Sequence, residues 1–188
     1  EFIMVIIKNN YYLYIENTYS VNFNTIKKNQ KFSIIYRNNG AEENFKKLNN
    51  LRKQCNTKGY KFYVANNFRL AVKCKADGLY LSSYNKKKYF KQNIKYIGAA
   101  HNFKEIFEKQ KQGCTTIILS RLFRTNYKNK KSFFGTTKFN LIVKKYRSNI
   151  LPLGGINSFN LLKLNLVSAD GFALLSEIKK KPAISSRL

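Results

Sequence analysis

The chain has 188 residues, enough for one packed domain but short for an eightfold α/β barrel, which seldom runs below about 200. Its 36 Lys and Arg against 9 Asp and Glu give a formal charge of +27, and 44% hydrophobic with 15% aromatic residues excludes a disordered chain. No apolar run approaches the roughly 18 residues that a membrane-spanning helix needs.

Lys, Asn, Ile, Tyr and Phe are abundant along the whole chain, and the basic residues fall in separate short runs (86–88, 128–131, 179–181). This even spread reads as the drift of an AT-rich coding sequence, with nucleic acid expected only through non-specific attraction. Cys55, Cys74 and Cys114 lie far apart without a metal-ligand spacing, so buried reduced thiols in a cytoplasmic protein are expected. Phe2–Ile7 is too short for the apolar region of a signal peptide, and Met4, the sole methionine, is read as the expected start.

Short apolar runs alternate with helix-like stretches, the pattern of a parallel α/β fold. In chain order the expected strands are Tyr11–Ile15, Phe32–Tyr36, Lys61–Val64, Gly78–Leu81, Ile94–Gly98, Thr115–Leu119, Ile150–Leu153 and Gly171–Leu175. Most are continuous hydrophobic runs, as in strands covered on both faces. Ala41–Lys58 reads as a helix burying Phe45, Leu48, Leu51 and Cys55, with Glu42 and Glu43 in its first turn and Gly59 beyond its end. Asn102 and Glu105 resemble a capping box that opens a helix burying Phe103, Ile106 and Phe107. Lys138–Arg147 is expected to bury Phe139, Ile142 and Tyr146, and Asn157 to cap a shorter helix with Leu161, Leu162 and Leu164. Residues 16–31 and 82–93 leave little room for helices. The reading is a single domain, 1–188, holding a compact parallel (βα)8 barrel over about 11–178 with shortened crossovers and a basic tail, 179–188.

In such a barrel the working residues sit at the carboxyl ends of the strands. Leu153-Gly154-Gly155-Ile156-Asn157 runs from a strand through two glycines into an expected helix start, an arrangement suited to phosphate, although Gly-Gly is also a plain tight turn. Leu175 and Ser176 end the neighbouring strand and would complete the cup. The basic loop Ser120–Lys131 offers Arg121, Arg124 and Lys128 to a diphosphate, or is a solvated surface loop. His101 is the only histidine, and no Ser–His–Asp set can be assembled around it. Acidic residues are scarce at the strand ends, which disfavours a hydrolase with paired carboxylates and a metal site of several acidic ligands.

Five segments in order resemble the thiamine phosphate synthase and thiazole tautomerase superfamily. They are 61–71 with 76–82, Ile97-Gly-Ala-Ala-His-Asn102, Thr125-Asn-Tyr-Lys128, Leu153-Gly-Gly-Ile156, and 169–178. The resemblance implies an enzyme that joins hydroxymethylpyrimidine diphosphate to thiazole phosphate and releases diphosphate, with phosphorylated small molecules as partners and homo-oligomerisation left open. It further implies Arg37 and Lys128 on the pyrimidine diphosphate, and Thr125, Asn126 and Tyr127 in the thiazole-binding loop. Gly154, Gly155, Leu175 and Ser176 fall at the thiazole phosphate cup. His101 matches the histidine of the fifth-strand motif, whose serine falls at Ala99.

Several positions depart from the family pattern. Its Gln-x-Arg-x-Lys reads Ile35-Tyr36-Arg37-Asn38-Asn39, and its two magnesium-binding aspartates fall at Asn66 and Asn85. Magnesium, implied by the resemblance, would meet amides in place of carboxylates there. Three readings stay open: the synthase, a thiazole tautomerase working through His101, and a non-catalytic binder of phosphorylated ligands or nucleic acid.

Overall fold

A β-strand sends alternate side chains to opposite faces, so a strand buried on both faces is apolar throughout and sorts its residues by parity. The computed structural model describes residues 10–19, 21, 23, 32–38, 44–89, 93–125, 132–146 and 148–175. In these residues eight parallel strands follow one another round a closed barrel: β1 (Asn10–Ile15), β2 (Phe32–Tyr36), β3 (Lys61–Ala65), β4 (Gly78–Leu81), β5 (Lys95–Ala100), β6 (Thr116–Ser120), β7 (Asn149–Leu153) and β8 (Gly171–Leu175). β1 pairs with β8 from Asn10 opposite Gly171 to Tyr14 opposite Leu175, which closes the ring.

Parity sorts the core into two clusters. Leu13, Ile34, Phe62, Leu79, Ile117 and Phe172 point outward beneath the helices. Tyr14, Ile35, Tyr63, Tyr80, Ile97, Ile118, Leu151 and Ala173 fill the barrel itself. Tyrosines on β1, β3 and β4 occupy much of this interior, and Gly78 leaves space for the Tyr63 ring.

Helices α1 (Phe45–Thr57), α2 (Phe68–Lys73), α3 (Phe103–Lys111) and α4 (Gly135–Lys145) cover the outside. α1 starts later than its periodicity suggested, because the Asn44 side chain accepts the Lys47 N–H at 3.0 Å. Its first turn contains no acidic residue, and Glu42 and Glu43 lie outside the described residues. The Asn102 cap of α3 forms as expected, with its Oδ1 accepting the Glu105 N–H at 2.9 Å. The face that α3 buries differs from expectation: Ile106 and Lys109 are buried, whereas Phe103 and Phe107 are about half exposed. Their rings are instead covered by the ammonium groups of Lys145 and Lys111. Asn157 does not cap an α-helix; a 3₁₀ helix follows at Leu161–Leu166, with Leu162 exposed. Among the described residues, 82–89 form no helix, in keeping with the short connection read from the sequence.

Cys55, Cys74 and Cys114 are buried free thiols, and burial pushes Cys55 and Cys114 up to about 12. Of the described residues, no helix is long and apolar enough to cross a membrane.

The ring closes tightly where β1 meets β8. A Cβ at Gly171 would overlap the Asn10 carbonyl oxygen, so this glycine is required by close approach. Gly171→Ala is expected to cost about 1–3 kcal/mol as overpacking, which thermal unfolding would register as a fall of roughly 2–4 °C per kcal/mol. An unchanged melting temperature would mean that the seam is looser than described.

Candidate active site

At the carboxyl end of the barrel the inward residues stop, leaving a cavity of about 900 Å³. Tyr14, Tyr80, Ala99, Ile118, Leu153 and Ala173 form its floor, the last turns of the same inward rows that fill the barrel. Arg37, directly after β2, is held through its N–H on the Ile15 carbonyl at 2.8 Å and lines one wall. Arg121, Arg124 and Lys138 also line the cavity, and no Asp or Glu does among the described residues. A partly closed, carboxylate-free space with four cations favours polyanions. The Tyr14 side chain is buried here, its ring edge-on to Tyr80 at 5.3 Å. Burial raises the pKa of both phenols, so they are neutral donors.

The two glycines after β7 lie at the cavity edge, but the group that approaches them most closely is the neighbouring loop. Gly154 and Gly155 adopt φ of +93° and +71°. A Cβ at Gly155 would come within 2.5 Å of the Phe123 and Arg124 carbonyl oxygens, and one at Gly154 within 2.9 Å of Arg121 Cγ. The loop after β6 is stitched onto this turn by Leu122 N–H to Leu153 O at 2.9 Å and Phe123 N–H to Gly154 O at 3.0 Å. The glycines thus serve to seat the arginine loop. They do not present an α-helix N-terminus, since the segment beyond them is an Asn157 turn and a 3₁₀ helix. Arg121 Nη1 donates to Thr125 Oγ1 at 2.8 Å, which brings Thr125 into the lining as the sequence suggested.

His101, directly after β5, also lines the cavity, beside the start of the arginine loop. Its Nδ1 and the Ser120 Oγ are 2.7 Å apart, and its backbone N–H donates to Glu105 Oε2 at 2.8 Å. The sequence placed Ser120 at a strand end but did not pair it with His101, because the contact joins the ends of two strands 19 residues apart in the chain. The pair fixes the imidazole at the cavity edge, and the ring's partner is a hydroxyl rather than a carboxylate.

The expected metal positions behave differently. Neither Asn66 nor Asn85 lines the cavity; Ser82, Ser83 and Tyr84 form that wall instead. Asn66, at φ +58°, accepts the Ser82 N–H at 3.0 Å and the Asn85 Nδ2 at 3.2 Å on one oxygen. Its own Nδ2 donates to Ser82 Oγ and Tyr84 OH at 2.8 and 3.0 Å. Asn85 Oδ1 accepts the Lys87 N–H at 2.9 Å. Two neutral amides bonded to each other, one oxygen doubly occupied, do not fit a magnesium ion, which selects anionic oxygens in near-octahedral array. Among the described residues no group of three His, Cys, Asp or Glu could hold a metal.

Behind this segment is a residue that the sequence reading passed over. Lys109 is fully buried, and its Nζ donates to the carbonyls of Ser82 and Asn85 and to Gln112 Oε1 at 2.7–2.9 Å. Burial lowers its pKa. The clue in the sequence was Gly98: a Cβ there would come within 2.7 Å of Lys109 Cγ.

Ala99 lies on the floor; Leu175 ends β8 with its backbone opposite Tyr14, and Asn126, Tyr127, Lys128 and Ser176 lie outside the described residues.

Because Gly155 seats the arginine loop, Gly155→Ala should displace Arg121 and Arg124 together. Charge-assisted contacts of about 1.5–3 kcal/mol each then predict at least a roughly tenfold weaker affinity for inorganic phosphate by calorimetry, with the circular dichroism spectrum preserved. Unchanged affinity in the folded variant would remove the loop from the anion site.

The thiamine monophosphate synthase family model matches residues 15–178. The chain is 26% identical over 180 residues to a thiamine-phosphate synthase of Clostridium perfringens, covering 88% of this chain and 87% of that one. It is 27% identical over 185 residues to a thiamine-phosphate synthase of Clostridioides difficile, covering 95% and 84%. Its fold is similar to that of the thiamine phosphate pyrophosphorylase of Pyrococcus furiosus, with a TM-score of 0.76 at 17% identity and coverage of 96% and 93%. A 3-keto-L-gulonate-6-phosphate decarboxylase of Vibrio cholerae scores 0.67 at 13% identity, covering 96% and 95%, so the barrel alone does not decide the reaction. The family match over residues 15–178 goes further than the fold: the chain belongs to the thiamine monophosphate synthase family.

Proposed function

We propose that the chain is a thiamine phosphate synthase, joining hydroxymethylpyrimidine diphosphate to thiazole phosphate with release of diphosphate. The observation that carries this reading is the cavity: four cations and no carboxylate over a tyrosine floor, at the catalytic end of the barrel.

In the proposed reaction the methylene C–O bond of the pyrimidine substrate breaks and diphosphate departs with the electron pair. The pyrimidine cation left behind is captured by the thiazole nitrogen, forming the new C–N bond. The protein's task is to stabilise charge on the leaving group and to hold the two rings in line. Arg37 and Lys128 are assigned to the diphosphate. Arg121 and Arg124 are assigned to the diphosphate with them, and the Gly154-Gly155 turn, with Ser176 and Leu175 beside it, to the thiazole phosphate. Thr125, Asn126 and Tyr127 would border the thiazole, and Ala99 leaves space beside the pyrimidine. A cytoplasmic location and a single domain over 1–188 accompany this reading.

The Ser120–His101 contact at 2.7 Å favours one second reading, a thiazole tautomerase in which His101 moves the proton. The two readings separate on purified protein supplied with both substrates and assayed for diphosphate release. As a synthase, Lys128→Ala and Arg37→Ala should each lose about 10–100-fold in rate, the loss of one charge-assisted contact, while His101→Ala changes little. Coupling indifferent to Lys128→Ala would contradict the assignment. Tautomerisation lost in His101→Ala, without coupling, would establish the second reading in its place.

A further inference from the structure

We propose that phosphoryl ligands bind this cavity without a divalent cation, and that Lys109 fixes the segment a metal would otherwise organise. The proposal rests on the synthase reading above only for the class of ligand.

Three observations carry it. The Asn66 amide oxygen already accepts two hydrogen bonds, one of them from Asn85, and neither asparagine lines the cavity. Lys109 places a full positive charge directly behind the same residues. All three ammonium protons are used, on Ser82 O at 2.7 Å, Asn85 O at 2.8 Å and Gln112 Oε1 at 2.9 Å. Gln112 Nε2 continues the lock, donating to Asn85 O at 2.9 Å and Lys87 O at 2.8 Å. The carbonyls of this segment are therefore held by α3, and a divalent cation would meet the ammonium with no carboxylate between them. The nearby acids are engaged elsewhere: Glu108 with Lys86, and Glu105 with the Asn102 cap and the His101 N–H. Finally, Arg37, Arg121, Arg124 and Lys138 already supply the cavity with positive charge.

The test uses the full chain freed of metal by chelation. Calorimetry with inorganic diphosphate should detect binding in the presence of chelator, and excess Mg²⁺ should not tighten it. Electron paramagnetic resonance should find the free Mn²⁺ signal undiminished by the wild-type protein. The double variant Asn66→Asp, Asn85→Asp should take up Mn²⁺. Adding Lys109→Met to that pair should tighten Mn²⁺ binding several-fold, and adding Lys109→Arg should not. A lysine with only a packing role would give loss in both cases. If Lys109→Met does not fold, the wild-type titrations still decide. Diphosphate binding that needs Mg²⁺ or strengthens about tenfold with it, stoichiometric Mn²⁺ uptake by the wild type, or no diphosphate binding under either condition would overturn the proposal. Diphosphate release from both substrates, run in the same buffers, keeps the two ideas apart. Coupling that occurs only with Mg²⁺ leaves the synthase reading standing and removes this one. Metal-free diphosphate binding without coupling does the reverse.

Discussion

Ring closure between β1 and β8 is the constraint on which everything else in the molecule depends. Once Asn10 pairs with Gly171, every second residue of every strand must fit inside a space of fixed girth. Tyr14, Tyr63 and Tyr80 take most of that space, so the remaining strands carry small or aliphatic residues inward, Ala99 and Ala173 among them. The same rows run out at the carboxyl ends, and the cavity is what remains above them. Its floor is therefore the top of the barrel's packing, which makes the site rigid from below.

The walls are held by two different devices. On one side, the loop after β6 rests on the Gly154-Gly155 turn, where a side chain would strike backbone oxygens. On the other, the segment 82–87 is drawn against α3 by the Lys109 ammonium and the Gln112 amide. Without this lysine the Ser82 carbonyl would keep only the Asn85 N–H and the Asn85 carbonyl only the Gln112 amide. Burial of Lys109 without a carboxylate is tolerable because three oxygens share its charge. An amide pair, Asn66 with Asn85, stands beside this segment, and the positive charge lies within the protein.

The strands were the most legible part of the sequence, since burial on both faces writes them as continuous apolar runs; Phe32–Tyr36 and Gly78–Leu81 are placed to the residue. Helix faces were less so. Phe103 and Phe107 have helical spacing, yet the inward stripe of α3 runs through Ile106 and Lys109, because Gly98 leaves a slot into which only that stripe can insert. Nothing in a run of charged letters marks one lysine as buried. The glycine pair was visible as a turn, but what presses on it comes from another loop and is not encoded locally. His101 and Ser120 were both visible at strand ends and their pairing was not, for the same reason: their contact is made by the barrel, not by the chain between them.

A crystal structure grown with thiamine phosphate and diphosphate in chelating buffer tests the central claim most directly. The account predicts diphosphate against Arg37 and the loop arginines, the pyrimidine over Tyr14 and Tyr80, and Asn66 still bonded to Asn85. A metal ion coordinated by Asn66 or Asn85 between protein and diphosphate, or product bound away from this mouth of the barrel, would contradict it.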